Sequence, residues 1–465
     1  MIQEEEGHMF TPHKARCSRL LLCVRVLTLV SLLSTVAVAP AVAARRAATS
    51  LLVVNSEERS GIYSLGKEVV FTIKAAEGAG AVDLDKVAVT ITRDGWEKIV
   101  MPQANRSGAA LAVRFTPEAP GWYLCEASPA GEGRKAAARA GVVVSPEKIA
   151  PSMPEPKDFD EFWNVRRAAL AALPLKTDLK AVESPDRQIE CFSLEAPCPH
   201  TNPVRGYFAR PKDAKSHGCP AILFVRAAGV SGDWCKASVK NAASLAKQYG
   251  AIVVDINAHG MLNGQPPEYY RDLEQKELRN YWTQGTDDRD KFYFVGMYVR
   301  LLRSVEFIAA QEQWDGKHLI TIGESQGGGQ ALAAAGLDKR VSAVVALVPA
   351  MCDFAGPAVK RSGGWPMPVG RNVESEQAKK AIDAVRYCDN VNLARRSQAQ
   401  TLVFVGLIDT TCCPPGVFAT YNSLPGTKRI VAYPHKPHNG LPKEDAWIGE
   451  ISSIQDDFIR GHIGK

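Results

Sequence analysis

The chain reads as an α/β protein: a doubly wound, mostly parallel sheet preceded by a small immunoglobulin-like β-sandwich. Three observations predict this. Beyond about residue 158, short apolar runs alternate with stretches of helical period. One of these runs ends in the glycine-rich turn GESQGGG (323–329), which leads into an alanine-rich segment. Ahead of them, residues 50–146 hold alternating β-branched runs separated by turn residues.

At 465 residues, with 46% hydrophobic and 23% charged residues, the composition is that of a globular protein of two or three domains. The net charge of +6 is spread without a basic block, so no nucleic-acid partner is expected. Lys14, Arg16, Arg19 and Arg25 precede an uncharged apolar run (26–39) and then Ala41-Val42-Ala43. That order of basic, apolar and small residues predicts a signal peptide over 1–43, cleaved after Ala43, with Met9 competing with Met1 as the start. The run is short for a bilayer, so the expectation is an exported protein, periplasmic or secreted, with no membrane span after cleavage. Of eleven cysteines, Cys17 and Cys23 leave with the signal. The remaining nine are scattered, none in a Cys-x-x-Cys pair, and neither a metal site nor a dense disulfide framework is expected.

In the sandwich (50–146), KEVVFTIKA, DKVAVTITRDG and ALAVRFTP read as strands. PGWYLCEAS places Tyr123 two residues before Cys125, the spacing of an immunoglobulin tyrosine corner, although no second cysteine lies nearby to bridge the sheets. Trp96 and Trp122 are read as core aromatics in preference to a sugar-stacking platform. Residues 147–157 are proline-rich and read as an extended linker. The second domain is placed at 158–465, with Asp158 as the N-cap of its first helix.

In that domain AILFV (221–225), AIVVDI (251–256), HLITIG (318–323), AVVALV (343–348), TLVFVG (401–406) and RIVAY (429–433) read as strands buried on both faces. Tyr298, Leu301, Leu302, Val305, Ile308 and Ala309 fall at helical spacing between them. A Gly-x-Ser-x-Gly pattern arises by chance in roughly one chain in six of this length, so its flanks have to decide its meaning. Here a buried strand runs into it and a helix former leaves it. That is the setting of a nucleophile elbow in an α/β-hydrolase fold, with Ser325 exposed on a sharp turn and the backbone N–H of Gln326 as an oxyanion donor. The acid and the base should follow in that order on later strand ends. Asp409 follows TLVFVG, and His435 and His438 both follow RIVAY. Asp353, one strand early, is read as structural. His259, past AIVVDI, is a candidate for the pocket.

The stretch 323–329 resembles the Gly-x-Ser-Gln-Gly-Gly-Gly elbow of the acetyl xylan esterase and cephalosporin C deacetylase family, carbohydrate esterase family seven. GLIDTTCCPPGVFATYN is similar to its acid loop, which implies Asp409 as the acid. YPHKPHN resembles its Tyr-Pro-x-x-Gly-His-Glu, which implies His438 as the base. PKDFDEFW and VPAMCDF match further segments, so the resemblance runs from about Lys157 to the C-terminus. It implies hydrolysis of acylated carbohydrate by a Ser-His-Asp triad, without a cofactor or metal, in a homo-oligomer. Three segments depart from the family. Its His-Gly-Tyr is Arg226-Ala227-Ala228 here, which leaves the backbone N–H of Ala228 as the expected second oxyanion donor. Its Arg-Gly-Gln is replaced around His259, and the glutamate after the base is Asn439. The sandwich is an addition to the family's minimal chain.

Overall fold

The computed structural model describes residues 51–99, 104–131, 136–439 and 447–464; the expected signal peptide, 1–43, lies outside them. The alternating runs near the N-terminus form nine strands: β1 (Leu52–Ser56), β2 (Ile62–Tyr63), β3 (Val69–Ala75), β4 (Ala88–Arg93), β5 (Glu97–Ile99), β6 (Asn105–Ser107), β7 (Ala110–Phe115), β8 (Gly121–Ser128) and β9 (Ala138–Val144). They build two sheets, ordered β1-β3-β7-β6 and β2-β9-β8-β4-β5. Val54, Phe71, Ile73 and Val113 of the first sheet share a core with Ile91, Tyr123, Cys125 and Val142 of the second. The Tyr123 hydroxyl donates to the carbonyl of Ala119 at 2.7 Å, the backward bond of a tyrosine corner. Cys125 is a buried free thiol, so it forms no bridge between the two sheets.

Strand β8 departs from simple alternation. Its first seven residues, Gly121 to Ala127, are all buried. Tyr123, Cys125 and Ala127 face the sandwich core, while Trp122 and Leu124 pack with Cys413 of the following domain. One sheet of the sandwich is therefore covered on both faces.

The large sheet has nine strands: β10 (Asp178–Val182), β11 (Ile189–Ala196), β12 (Val204–Pro211), β13 (Cys219–Val225), β14 (Ile252–Ile256), β15 (Trp314–Glu324), β16 (Ala343–Leu347), β17 (Gln400–Gly406) and β18 (Lys428–Tyr433). Their order is β10-β11-β12-β14-β13-β15-β16-β17-β18. The last six strands are mutually parallel and correspond to the six expected runs. The antiparallel β10, β11 and β12 extend the sheet beyond them. These three were not foreseen because their faces carry charge: Glu195 stands opposite Arg205 and Glu190 opposite Arg210, each forming a cross-strand ion pair. Helices α2 (Val239–Tyr249) and α9 (Trp447–Ile463) cover one face of the sheet. The other carries α1 (Phe159–Ala172), α4 (Tyr293–Ala309), α5 (Gln326–Leu337) and α8 (Pro414–Ser423), with α3 (Pro267–Gln275), α6 (Glu376–Val385) and α7 (Asn390–Leu393) completing the helices of the described residues.

Two local expectations gain a different chemistry. Asp158 stands at the N-cap position of α1, but its carboxylate makes no capping bond and instead takes Arg289 and the Tyr387 hydroxyl. An ion pair plus a second donor outcompetes one exposed backbone N–H. Residues 147–157 are not a free spacer. Ile149 is buried, Ser152 donates from its backbone N–H (2.8 Å) and its hydroxyl (2.5 Å) to Asp353, and Asn422 donates to the carbonyls of Pro146 and Ile149. The proline-rich segment makes a few local backbone bonds and is otherwise fastened by these bonds from the rest of the chain. Sandwich and large sheet thus form one compact unit. Among the described residues, no helix is long and apolar enough to cross a membrane.

Candidate active site

Strand β15 ends at Glu324 and α5 begins at Gln326, leaving Ser325 alone on the turn at φ 58° and ψ −121°. The turn is pinched tight. A Cβ at Gly323 would sit 2.3 Å from the Gly327 carbonyl carbon, and one at Gly327 would sit 2.4 Å from the Val225 oxygen. Ser325 is fixed by its own backbone, its N–H donating to Leu347 and its carbonyl accepting from Ala350, both at 2.9 Å.

Its hydroxyl lies 2.9 Å from Nε2 of His438, and Nδ1 of the same ring lies 2.8 Å from Oδ2 of Asp409. Asp409 is fully buried, so its second oxygen needs donors, and the backbone N–H groups of Thr411 and Cys412 supply them at 2.8 Å each. Both carboxylate oxygens are therefore occupied, and the imidazole is held as the Nδ1–H tautomer with Nε2 open to the serine proton. Of the two histidines left open by physical reading, it is His438 that meets Ser325. The Lys436 ammonium, which the sequence reading passed over, is buried beside this loop and donates to the Pro437 carbonyl at 3.2 Å. Burial lowers its pKa, with the Glu324 carboxylate the strongest opposing influence.

Cys412 brings its thiol within 4.8 Å of the Asp409 and His438 ligand atoms. Burial holds this thiol well above its ordinary pKa.

The serine opens into a cleft of about 460 Å³ lined by Ala227, Ala228, Trp234, Trp365, Thr411 and Asn439. Two residues that the sequence reading did not single out shape it, the exposed Trp234 and the half-buried Trp365. The Trp234 indole N–H donates to the Ala228 carbonyl at 2.9 Å, pinning the loop after β13. The Tyr281 hydroxyl donates to the Gln326 side-chain oxygen at 2.6 Å and accepts the Gly229 N–H at 3.4 Å, tying the elbow to the same loop. The Gly229 N–H is thereby engaged, and the two expected oxyanion donors, Ala228 and Gln326, stand on the loop and the elbow that Tyr281 joins.

His259 lies behind this loop and not on the cleft wall. It is fully buried, with Nε2 donating to the Gly229 carbonyl at 3.0 Å and Nδ1 accepting from the Tyr293 hydroxyl at 2.7 Å. Burial first, and the Arg300 charge second, push its pKa down to about 3, so it stays neutral. Arg226, where the family pattern has histidine, turns away into a bidentate pair with the buried Asp255. Asp353 accepts from Ser152 and Arg361 and takes no part in the cleft.

A family model described as acetyl xylan esterase matches residues 147–447. The chain is 28% identical over 336 residues to the acetyl esterase Axe7A of Xylanibacter ruminicola, spanning 72% of this chain and 74% of that protein. Among solved structures, an acetyl xylan esterase from Paenibacillus sp. R4 superposes with a TM-score of 0.55 at 26% identity, covering 68% of this chain and 98% of that one. Acetyl xylan esterase 1 from Thermoanaerobacterium sp. JW/SL YS485 shares the fold with a TM-score of 0.55 at 23% identity, over 68% and 97% of the two chains.

Proposed function

The chain belongs to the acetyl xylan esterase family and is a hydrolase of ester bonds of the serine α/β-hydrolase type, and on that premise we propose that it is an exported esterase removing acetyl and other short acyl groups from carbohydrate such as acetylated xylan or xylo-oligosaccharides. The observation that carries the reading is the hydrogen-bonded chain Ser325–His438–Asp409 opening into the cleft, with 2.9 Å and 2.8 Å between its members.

In this reading the Ser325 oxygen attacks the ester carbonyl while His438 takes its proton. Asp409 holds the ring and stabilises its charged form. The N–H groups of Gln326 and Ala228 receive the oxyanion. Collapse breaks the bond to the sugar oxygen, which leaves with the proton from His438 as a hydroxyl. A water then gives its proton to His438, attacks the acyl-serine and releases the carboxylic acid. Export rests on the basic, apolar and small-residue order of residues 14–43.

The test is acetate release from acetylated xylo-oligosaccharides by purified protein, with an aryl acetate alongside. Turnover of both is expected. Turnover of the aryl ester alone would leave a general esterase and remove the carbohydrate.

A further inference from the structure

The sandwich and the large sheet meet along a second cleft, of about 480 Å³, on the other side of the acid loop. Its walls include Trp96, Glu126 and Arg139 from the sandwich, Arg371 from the loop ahead of α6, and Thr410 from the acid loop. Thr410 lines this cleft and Thr411 lines the active-site cleft, so the two clefts share the acid loop beside Asp409 as a wall.

We propose that this second cleft is a saccharide subsite, holding the glycan chain of a substrate whose ester lies at Ser325. The inference rests on the carbohydrate reading above and adds where the sugar chain goes.

Trp96 sits on the tight β4–β5 turn, where Asp94 and Gly95 take positive φ of 53° and 62°. Unlike Trp122, it remains half-exposed. The turn is fastened from the other side of the cleft: the Ser362 N–H donates to the Asp94 carbonyl at 2.8 Å, and the Ser362 hydroxyl and Arg371 Nη2 donate to the Gly95 carbonyl at 3.0 and 3.1 Å. The turn that carries the indole is thus fixed before any ligand arrives, which lowers the ordering cost of binding. Arg371 lies over the Trp96 ring, 4.4 Å from its centroid, and joins a hydrogen-bonding plane to an aromatic one. Below them the Glu126 carboxylate and the Arg139 guanidinium are paired at 2.9 Å. An aromatic surface flanked by donors and acceptors suits a ligand with apolar C–H faces and many hydroxyls. With two arginines to one carboxylate, it does not suit a cation. Clefts at domain junctions with this mixture of surfaces are common ligand sites.

The experiment compares kcat/KM for an acetylated xylohexaose with kcat/KM for an aryl acetate in the full chain, in Trp96→Ala and in Arg371→Gln. The quantity read is the ratio of the two. In Trp96→Ala the ratio is expected to fall about tenfold, the loss of one good aromatic contact, and in Arg371→Gln it should fall in the same direction. Arg371 is exposed, so its variant keeps the test open if Trp96→Ala does not fold. An unchanged ratio in both variants overturns the subsite, whether both activities fall together or neither does. Failure of the wild-type chain to deacetylate the oligosaccharide is a different result and overturns the carbohydrate reading itself.

Discussion

The indole N–H of Trp122, on β8 of the sandwich, donates to the carbonyl oxygen of Leu407 at 2.7 Å, two residues ahead of Asp409. Next to it the Gly141 N–H donates to the Pro434 carbonyl at 3.0 Å, at the start of the histidine loop. A Cβ on Gly141 would lie 1.7 Å from the Leu407 oxygen. The loops that carry the acid and the base therefore rest directly on the sandwich, and Trp122 is a positioning residue for them.

Trp122→Phe keeps an aromatic ring but leaves the Leu407 carbonyl buried without this donor. The expected loss is about 1–3 kcal/mol of stability, with a fall in kcat larger than any change in KM. Gly141→Ala should be worse, because backbone stands against backbone there. Thermal unfolding and aryl acetate kinetics on both variants check this, and a wild-type kcat in both would mean the contact does not position Asp409.

Replacing the nucleophile gives a sharper loss. Ser325→Ala should leave only the residual catalysis of the surrounding site, roughly 10³- to 10⁴-fold over water, while the fold melts as before. His438→Ala should be nearly as inactive, and His435→Ala should keep most of its turnover. Single-turnover and steady-state rates for the three variants separate these roles. High turnover in His438→Ala would remove it as the base.

His259 predicts a pH effect on stability. Its folded pKa, about 3, lies below its ordinary value of 6.5. Between those values the unfolded chain binds the proton and the folded chain does not, so acidification favours unfolding. The full contribution is present above pH 6.5 and drains away as pH falls toward 3, at up to about 1.4 kcal/mol per pH unit. Denaturant midpoints at pH 4, 5, 6 and 7 should show a shallower slope in His259→Gln than in the wild type; parallel slopes would rule this out.

Acyl preference should be graded. Ala227 and Ala228 line the cleft of about 460 Å³ beside Ser325, and neither carries bulk beyond a methyl group. One added methylene is worth ~1–3 kcal/mol in an apolar pocket, so acetyl, propionyl and butyryl aryl esters should differ by modest factors in kcat/KM. A drop beyond about a hundredfold from acetyl to propionyl is the result that excludes an open pocket.

Much of the site could be read from local pattern. A buried run, a pinched Gly-x-Ser-x-Gly and a helix former define the elbow within a few residues. Asp409 and His438 follow at strand ends because the fold's topology orders them. The choice of His438 over His435 needed the family resemblance, since both lie within a few residues of the same strand. What stayed hidden depends on distance along the chain. The Tyr281–Gln326 bond joins residues 45 apart, and the Trp122–Leu407 bond joins residues 285 apart. Even so, β8 carried a signal. Trp122 and Leu124 are apolar at positions where a one-sided strand would show polar residues, which marks a second covered face.

The backbone angles of Ser325, φ 58° and ψ −121°, belong to a region that glycine enters freely and other residues enter at a cost of about 1–3 kcal/mol. At this one position durability and turnover ask for different residues. Ser325→Gly should fold more favourably and lose all but the residual catalysis of the surrounding site, so a heat-challenge screen of variants that scored only survival would enrich a chain with no nucleophile. Directed evolution of this scaffold toward higher temperature therefore has to score ester hydrolysis in every round.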